Sequence, residues 1–150
     1  VVAADLSPEM IAEAQRKEYR TAPLFVIGDL ERPPFAEESF DLLLLGFWLS
    51  HQPKETYREF FATISRPVRR NGLIWMIDNN PPAEGASMDS MRVDEWGNNF
   101  KRRRLGSGEE YVILKNYFGR EELAGIVEPY FGLERLVYGH YYWSIILRRK

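Results

Sequence analysis

Residues Val1 to Asp5 form an apolar, β-type run that stops at an acid, and Ser7-Pro8-Glu9-Met10 follows at once as a helix start. A strand that feeds directly into a helix is a βα unit. Such units build parallel sheets, because a parallel return needs a crossover of a dozen or more residues. The acid adds a chemical constraint: in nucleotide-binding sheets an acid at the end of the second strand accepts hydrogen bonds from ribose hydroxyls. The glycine-rich turn of such a sheet belongs to the preceding βα unit. Here residue 1 is already in the strand, and no G-x-G turn opens any helix. The pattern predicts a Rossmann-like, mostly parallel α/β sheet with helices on both faces, lacking its first strand and helix.

The 150 residues, 45% of them apolar, suffice for one domain with a real core. The longest apolar stretch, Leu42 to Leu49 with Gly46 inside it, is far below the roughly 20 residues of a membrane-spanning helix. The start lacks the basic, apolar and small-residue pattern of a signal peptide, so cytoplasmic residence is the default expectation. With no cysteine there are no disulfides, thiolate metal sites or cysteine nucleophile. Two histidines, His51 and His140, are too few for a multi-histidine zinc site, and no carboxylates have calcium-loop spacing, so no metal is expected. A net charge of −2 provides no global field for nucleic acid or anionic membrane. The run Lys101-Arg102-Arg103-Arg104 reads as a solvated, mobile loop, since no aromatic stacking pattern interleaves it.

Periodicity orders the rest. A first helix is expected from Pro8 to Tyr19, then a short strand Leu24 to Ile27 closed by Gly28-Asp29. Phe40 to Leu45 is almost wholly apolar, the mark of a central parallel strand covered on both faces. Lys54 to Arg66 carries Tyr57, Phe60, Phe61 and Ile64 at helical spacing, and Pro67 ends it. Asn71-Gly72 makes a turn into Leu73 to Ile77, followed by Asp78 and Asn79. From Asn80 to about Glu110 the pattern dissolves among prolines and glycines. This segment is expected to be an insertion or lid on the substrate side, with Met88, Met91 and Trp96 on one face of a short helix. Tyr111 to Leu114 resumes a β-like run, Arg120 to Tyr130 is an amphipathic helix ended by Gly132, and Gly139-His140 joins Leu133–Tyr138 to Tyr141–Leu147. So short a link makes an antiparallel hairpin.

Ligands of open α/β sheets bind outside the carboxyl ends of the strands. That rule selects Asp5 and Leu6, Asp29 and Leu30, Gly46, Phe47 and Trp48, and Asp78 and Asn79. One carboxylate suits a ribose diol, while a second on a neighbouring strand suits the exocyclic amine of adenine, with Leu30 on the ring. Each has a plainer alternative: helix capping for Asp5, although Ser7-Pro8 already supplies a cap, and a turn position for Asp29.

Together, Val2-Ala3-Ala4-Asp5-Leu6-Ser7-Pro8-Glu9-Met10, Gly28-Asp29-Leu30 with Pro34-Phe35 and Ser39-Phe40-Asp41, and Arg70-Asn71-Gly72 before a strand resemble class I S-adenosylmethionine-dependent methyltransferases. The C-terminal hairpin agrees with that family's single antiparallel strand. The resemblance implies S-adenosylmethionine as cofactor, with Asp5 and Leu6 at its ribose, Asp29 and Leu30 at its adenine, and the backbone of Gly46 and Phe47 beside its methionine part. The family's first strand and glycine-rich loop have no counterpart, so the isolated chain is expected to bind cofactor weakly and to be inactive or barely active, and a version with the upstream residues restored to be active.

Methyl transfer is an in-line displacement, in which alignment and exclusion of water do most of the work. His51 follows the strand end closely enough to act as general base, its alternative being a local bond at a helix start. Phe47 and Trp48 either shape a cation-friendly pocket or pack the core. The expected activity is methyl transfer to a small-molecule acceptor. A dinucleotide-dependent oxidoreductase and a non-catalytic remnant of the fold are the rivals.

Overall fold

A computed structural model describes residues 1–81 and 90–150. In chain order it contains β1 (Val2–Asp5), α1 (Pro8–Gln15), β2 (Leu24–Ile27) and β3 (Phe40–Gly46). Two 3-10 turns, Leu49–His51 and Lys54–Thr56, lead into α2 (Tyr57–Ser65) and β4 (Val68–Asn79). Then come β5 (Ser90–Val93), β6 (Asn99–Arg104), β7 (Glu110–Leu114), α3 (Arg120–Val127), β8 (Phe131–Tyr138) and β9 (Tyr142–Arg149).

The strands form three sheets. β1 and β2 pair in parallel, with Asp5 opposite Ile27. β3, β4, β9 and β8 lie side by side in that order, β3 and β4 parallel, β9 antiparallel to both its neighbours. β5, β6 and β7 make an antiparallel meander. The α/β class and the terminal hairpin are as the sequence implies. β9 reaches its place because the hairpin turn returns the chain between β4 and β8, closing with the Gly139 amide donating to the Tyr142 carbonyl at 2.9 Å.

The core follows from two periodicities meeting. Alternate residues of β4 and β9, namely Ile74, Met76, Trp143, Ile145 and Leu147, point to one face of the four-stranded sheet. Tyr57, Phe60, Phe61 and Ile64 of α2 and Leu123 and Val127 of α3 cover that face. The aromatic stripe on α2 is thus buried as its spacing predicts, and Phe61 meets Phe131 edge-on at 5.6 Å. Among the described residues no helix covers the opposite face. Leu42, Leu44 and Trp75 lie on it, and Leu44 is 58% exposed.

Here the structure departs from the reading of Phe40–Leu45 as a central strand: among the described residues β3 is an edge, paired only with β4. Several smaller expectations also change. α1 stops at Gln15 rather than Tyr19, because the residues beyond it offer no apolar stripe. Tyr19 instead turns its hydroxyl to the Ala14 carbonyl at 2.9 Å and its ring to Phe25. Asn71-Gly72 lies inside the continuous strand β4. The register against β3 slips between Phe40 and Leu42, and Asn71 takes a left-handed φ of 61° within the slip. Gly72 is required there, since a Cβ would stand 2.7 Å from Val68. α3 ends at Val127, and Gly132 sits in β8. Within the 80–110 segment, the helix placed at Met88, Met91 and Trp96 is replaced by strand at Ser90–Val93, and Met88 lies outside the described residues. Lys101–Arg104 is strand β6 rather than a loop, because alternating partners on β7 satisfy its backbone.

The one-sided packing sets a measurable contrast. Ile145→Ala, in the covered face, is expected to cost about 2–5 kcal/mol in urea denaturation, whereas Leu44→Ala should cost less than about 1 kcal/mol.

Candidate functional site

Asp5 and Asp29 stand at the carboxyl ends of paired strands. Asp5 Oδ1 accepts from the Ser7 amide at 2.8 Å, and Asp29 Oδ1 accepts from the Glu31 amide at 2.8 Å. Each carboxylate is therefore oriented by its own loop through one oxygen. The other oxygen of each has no hydrogen-bond partner among the described residues. The cap of α1 is Ser7, whose Oγ accepts from the Met10 amide at 3.2 Å with Pro8 in the first turn. The Gly28 amide donates to the Asp5 carbonyl at 3.0 Å and holds the two strand ends together. A Cβ on Gly28 would meet Pro34 at 2.9 Å, so glycine is what lets the following loop fold back. Leu6 is exposed, while Leu30 packs partly against the main core.

Leu30 and Glu31 also form one wall of a cavity of about 310 Å³, whose other wall is Gln52, Pro53, Thr56 and Phe60. The cavity thus links the loop after β2 to the segment that follows β3. At the end of β3, Phe47 adopts φ 57°, a left-handed conformation that costs a non-glycine residue about 1–2 kcal/mol. Its amide donates to the Ile77 carbonyl at 2.8 Å, which fixes the sharp exit of the chain beside Gly46. The Phe47 ring is half-exposed and meets Tyr142 at 5.9 Å. Trp48 instead packs on the core.

The 3-10 turn after Trp48 places Ser50 and His51 at the carboxyl ends of β3 and β4. Beneath them lies a buried charge that the sequence reading did not single out. Lys115, just beyond β7, donates from Nζ to Ser50 Oγ at 2.6 Å, Asp78 Oδ1 at 3.1 Å and Asn79 Oδ1 at 3.3 Å. Asp78 is fully buried, and its Oδ2 accepts from the Ser50 amide at 3.0 Å. Asn116 continues the seam. Its amide donates to the Ser50 carbonyl at 2.7 Å, and its side chain bridges the Asn99 amide and the Gln52 carbonyl. The available signal was a lysine and an asparagine ending the apolar run Tyr111 to Leu114, where a strand end meets another element.

His51 Nδ1 lies 2.7 Å from the Leu114 carbonyl. A carbonyl only accepts, so Nδ1 carries the proton and Nε2 is left with its lone pair. Nε2 has no hydrogen-bond partner among the described residues. Partial burial holds the imidazole below its ordinary value, with the Lys115 charge adding to the effect and the Leu114 bond opposing it. His140 lies in the hairpin link against Tyr141 and joins neither cluster.

The family profile described as a methyltransferase domain matches residues 1–76, just over half of the chain. The chain belongs to the methyltransferase-domain family, in accord with its class I resemblance, and S-adenosylmethionine is the methyl donor of that class. No curated protein matches the sequence. Among solved structures, a Pyrococcus horikoshii OT3 protein aligns with a TM-score of 0.75 at 17% identity, over 100% of this chain and 73% of that one. DhpI in complex with SAH gives a TM-score of 0.75 at 22% identity, over 99% and 65%. A Burkholderia thailandensis 1,6-didemethyltoxoflavin-N1-methyltransferase, bound to 1,6-didemethyltoxoflavin and S-adenosylhomocysteine, gives 0.61 at 20%, over 99% and 60%. At these identities the likeness establishes the fold.

The buried seam has a direct test. Lys115→Met leaves Asp78 buried without its counter-charge and is expected to lower stability by about 3 kcal/mol or more in urea denaturation. Adding Asp78→Asn to the same chain should recover part of the loss.

Proposed function

We propose that this chain transfers a methyl group from S-adenosylmethionine to a small-molecule acceptor, with Asp5, Leu6, Asp29 and Leu30 holding the adenosine half of the cofactor. The observation that carries the reading is the pair of strand-end carboxylates. Asp5 ends β1 and Asp29 lies just beyond the end of its partner β2, each oriented through one oxygen and each with the other oxygen unpaired among the described residues. Two such acceptors side by side suit a vicinal diol and an exocyclic amine, so the residues present fit the nucleoside. Leu30 beside the cavity adds an apolar surface for a flat ring. When bound, the cofactor supplies a methyl group activated by its sulfonium. Gly46 and the left-handed Phe47 present backbone and an aromatic ring at the end of β3, where the methionine part would be held.

His51 serves as general base in this reading. Nε2 takes the proton from the acceptor's hydroxyl or amine, and the Leu114 carbonyl fixes the tautomer that allows it. Because the imidazole is held below its ordinary 6.5, the ring is neutral at pH 7 and available as a base. The family assignment sets aside the dinucleotide oxidoreductase. A non-catalytic binding module keeps one observation in its favour. β1 and β3 share no ladder, so the adenosine-side and acceptor-side strand ends stand in separate sheets.

Three outcomes are expected. Asp5→Asn retains the acceptor toward Ser7 but loses the charge, and should weaken S-adenosylmethionine binding by about 1–3 kcal/mol in calorimetric titration. Unchanged affinity would return Asp5 to a structural role. Turnover should rise with pH through a midpoint below 6.5 and stay level above it, and His51→Gln should remove that acid limb together with most of the rate. Stability should follow the same sign: the imidazole's folded value is depressed, so the unfolded chain takes up the proton first. Stability then falls as pH drops from 6.5 toward the folded midpoint, read as a falling melting temperature that His51→Gln flattens. Cofactor binding without methyl transfer to any hydroxy or amino acceptor tried would select the binding module.

A further inference from the structure

The basic run in β6 points to the class of acceptor. In the β6–β7 ladder Lys101 pairs with Ile113 and Arg103 with Tyr111, and the Lys115 amide continues it by donating to the Asn99 carbonyl at 2.8 Å. Partners across an antiparallel ladder share a face. Lys101, Arg103 and Lys115 are therefore on one face of the meander, while Phe100, Arg102 and Arg104 are on the other. On the second face Arg92 stacks 4.5 Å from the Phe100 ring centre and Arg102 pairs with Glu110 at 3.4 Å, while Arg104 has no carboxylate at ion-pair distance among the described residues.

The first face is held beside His51. Lys115 points from it into the Ser50–Asp78 seam, and the Leu114 carbonyl grips the imidazole. Lys115 spends its charge on buried Asp78. Lys101 bonds the Tyr117 hydroxyl at 3.1 Å and lies 5.3 Å from that ring's centre, and neither Lys101 nor Arg103 has a carboxylate at ion-pair distance among the described residues. Arg103 is close enough to His51 to press on its charge, and Asp78 is the acid that opposes it and Lys115 there. Two cations without a counter-charge share one face, the guanidinium of Arg103 near a neutral base and suited to bidentate contact, and together they form an anion-binding arrangement.

We propose that Lys101 and Arg103 bind an oxyanion, of the carboxylate or phosphate class, carried by the methyl acceptor. The inference rests on the reading of His51's surroundings as the acceptor site. It gives the β5–β7 meander a specificity role: the acceptor's anionic end lies on β6, and its nucleophilic atom faces His51 Nε2.

The experiment reads binding alone. The full chain, without cofactor, is titrated with acetate, with methylphosphonate and with acetamide while the His51 ring resonances are followed by NMR. Either anion or both should shift His51 saturably and raise its titration midpoint, and acetamide should do neither; the two anions distinguish carboxylate from phosphate-type recognition. Arg103→Gln should weaken anion binding about tenfold or more, while Arg104→Gln, on the opposite face, should leave it unchanged. No saturable shift, an equal response to acetamide, or an equal loss in Arg104→Gln would overturn the proposal. Anion binding in a chain that fails to bind S-adenosylmethionine would remove the methyl-transfer reading and leave this one standing; the converse would remove only this one.

Discussion

The ammonium of Lys115 and the carboxylate of Asp78 join the two parts of the molecule on which any acceptor chemistry depends. Asp78 ends a central strand of the four-stranded sheet and is wholly buried, so its charge is tolerable only with a partner. Lys115 arrives from the antiparallel meander and spends all three donors, on Asp78, Asn79 and Ser50. Because Ser50 also gives its amide to Asp78, the same pair sets the 3-10 turn that carries His51. A buried pair of this kind contributes little net stability over an apolar replacement. In this fold it ties the end of β4 to the turn that carries Ser50 and His51.

That anchoring gives the site a division of labour. The end of the β1–β2 sheet offers two oriented carboxylates and little else. The ends of β3 and β4 offer a strained backbone turn, a histidine of defined tautomer and a cationic face from β6. A cavity lies between Leu30 and the segment from Gln52 to Phe60, and the two groups of strands share no ladder. Methyl transfer needs alignment more than reactive groups, so rigid placement of both ends matters more than any single side chain.

Much of this was legible in the sequence. The β1–α1 unit, β2, the aromatic stripe of α2 and the terminal hairpin follow from periodicity, capping and a link too short for a crossover, and the family resemblance rested on the same residues. What was not legible depended on tertiary partners. The apolar run of β3 reads as a doubly covered strand, yet coverage depends on what lies against it, and Leu42 and Leu44 face outward. Lys101–Arg104 reads as a solvated loop because four consecutive cations carry no period. Only the register with β7 shows that alternate members belong to different faces. Lys115 looks like any exposed lysine until Asp78, 37 positions earlier in the chain, is brought to it.

The proposed nucleoside end of the site, at the carboxylates of Asp5 and Asp29, is open to direct observation. A crystal structure of this chain soaked with S-adenosylhomocysteine tests it most directly. The ribose hydroxyls are expected within hydrogen-bond distance of the Asp5 oxygen that Ser7 leaves unused, and the adenine beside Asp29 and Leu30. Density for the nucleoside elsewhere, with both carboxylates untouched, would contradict it.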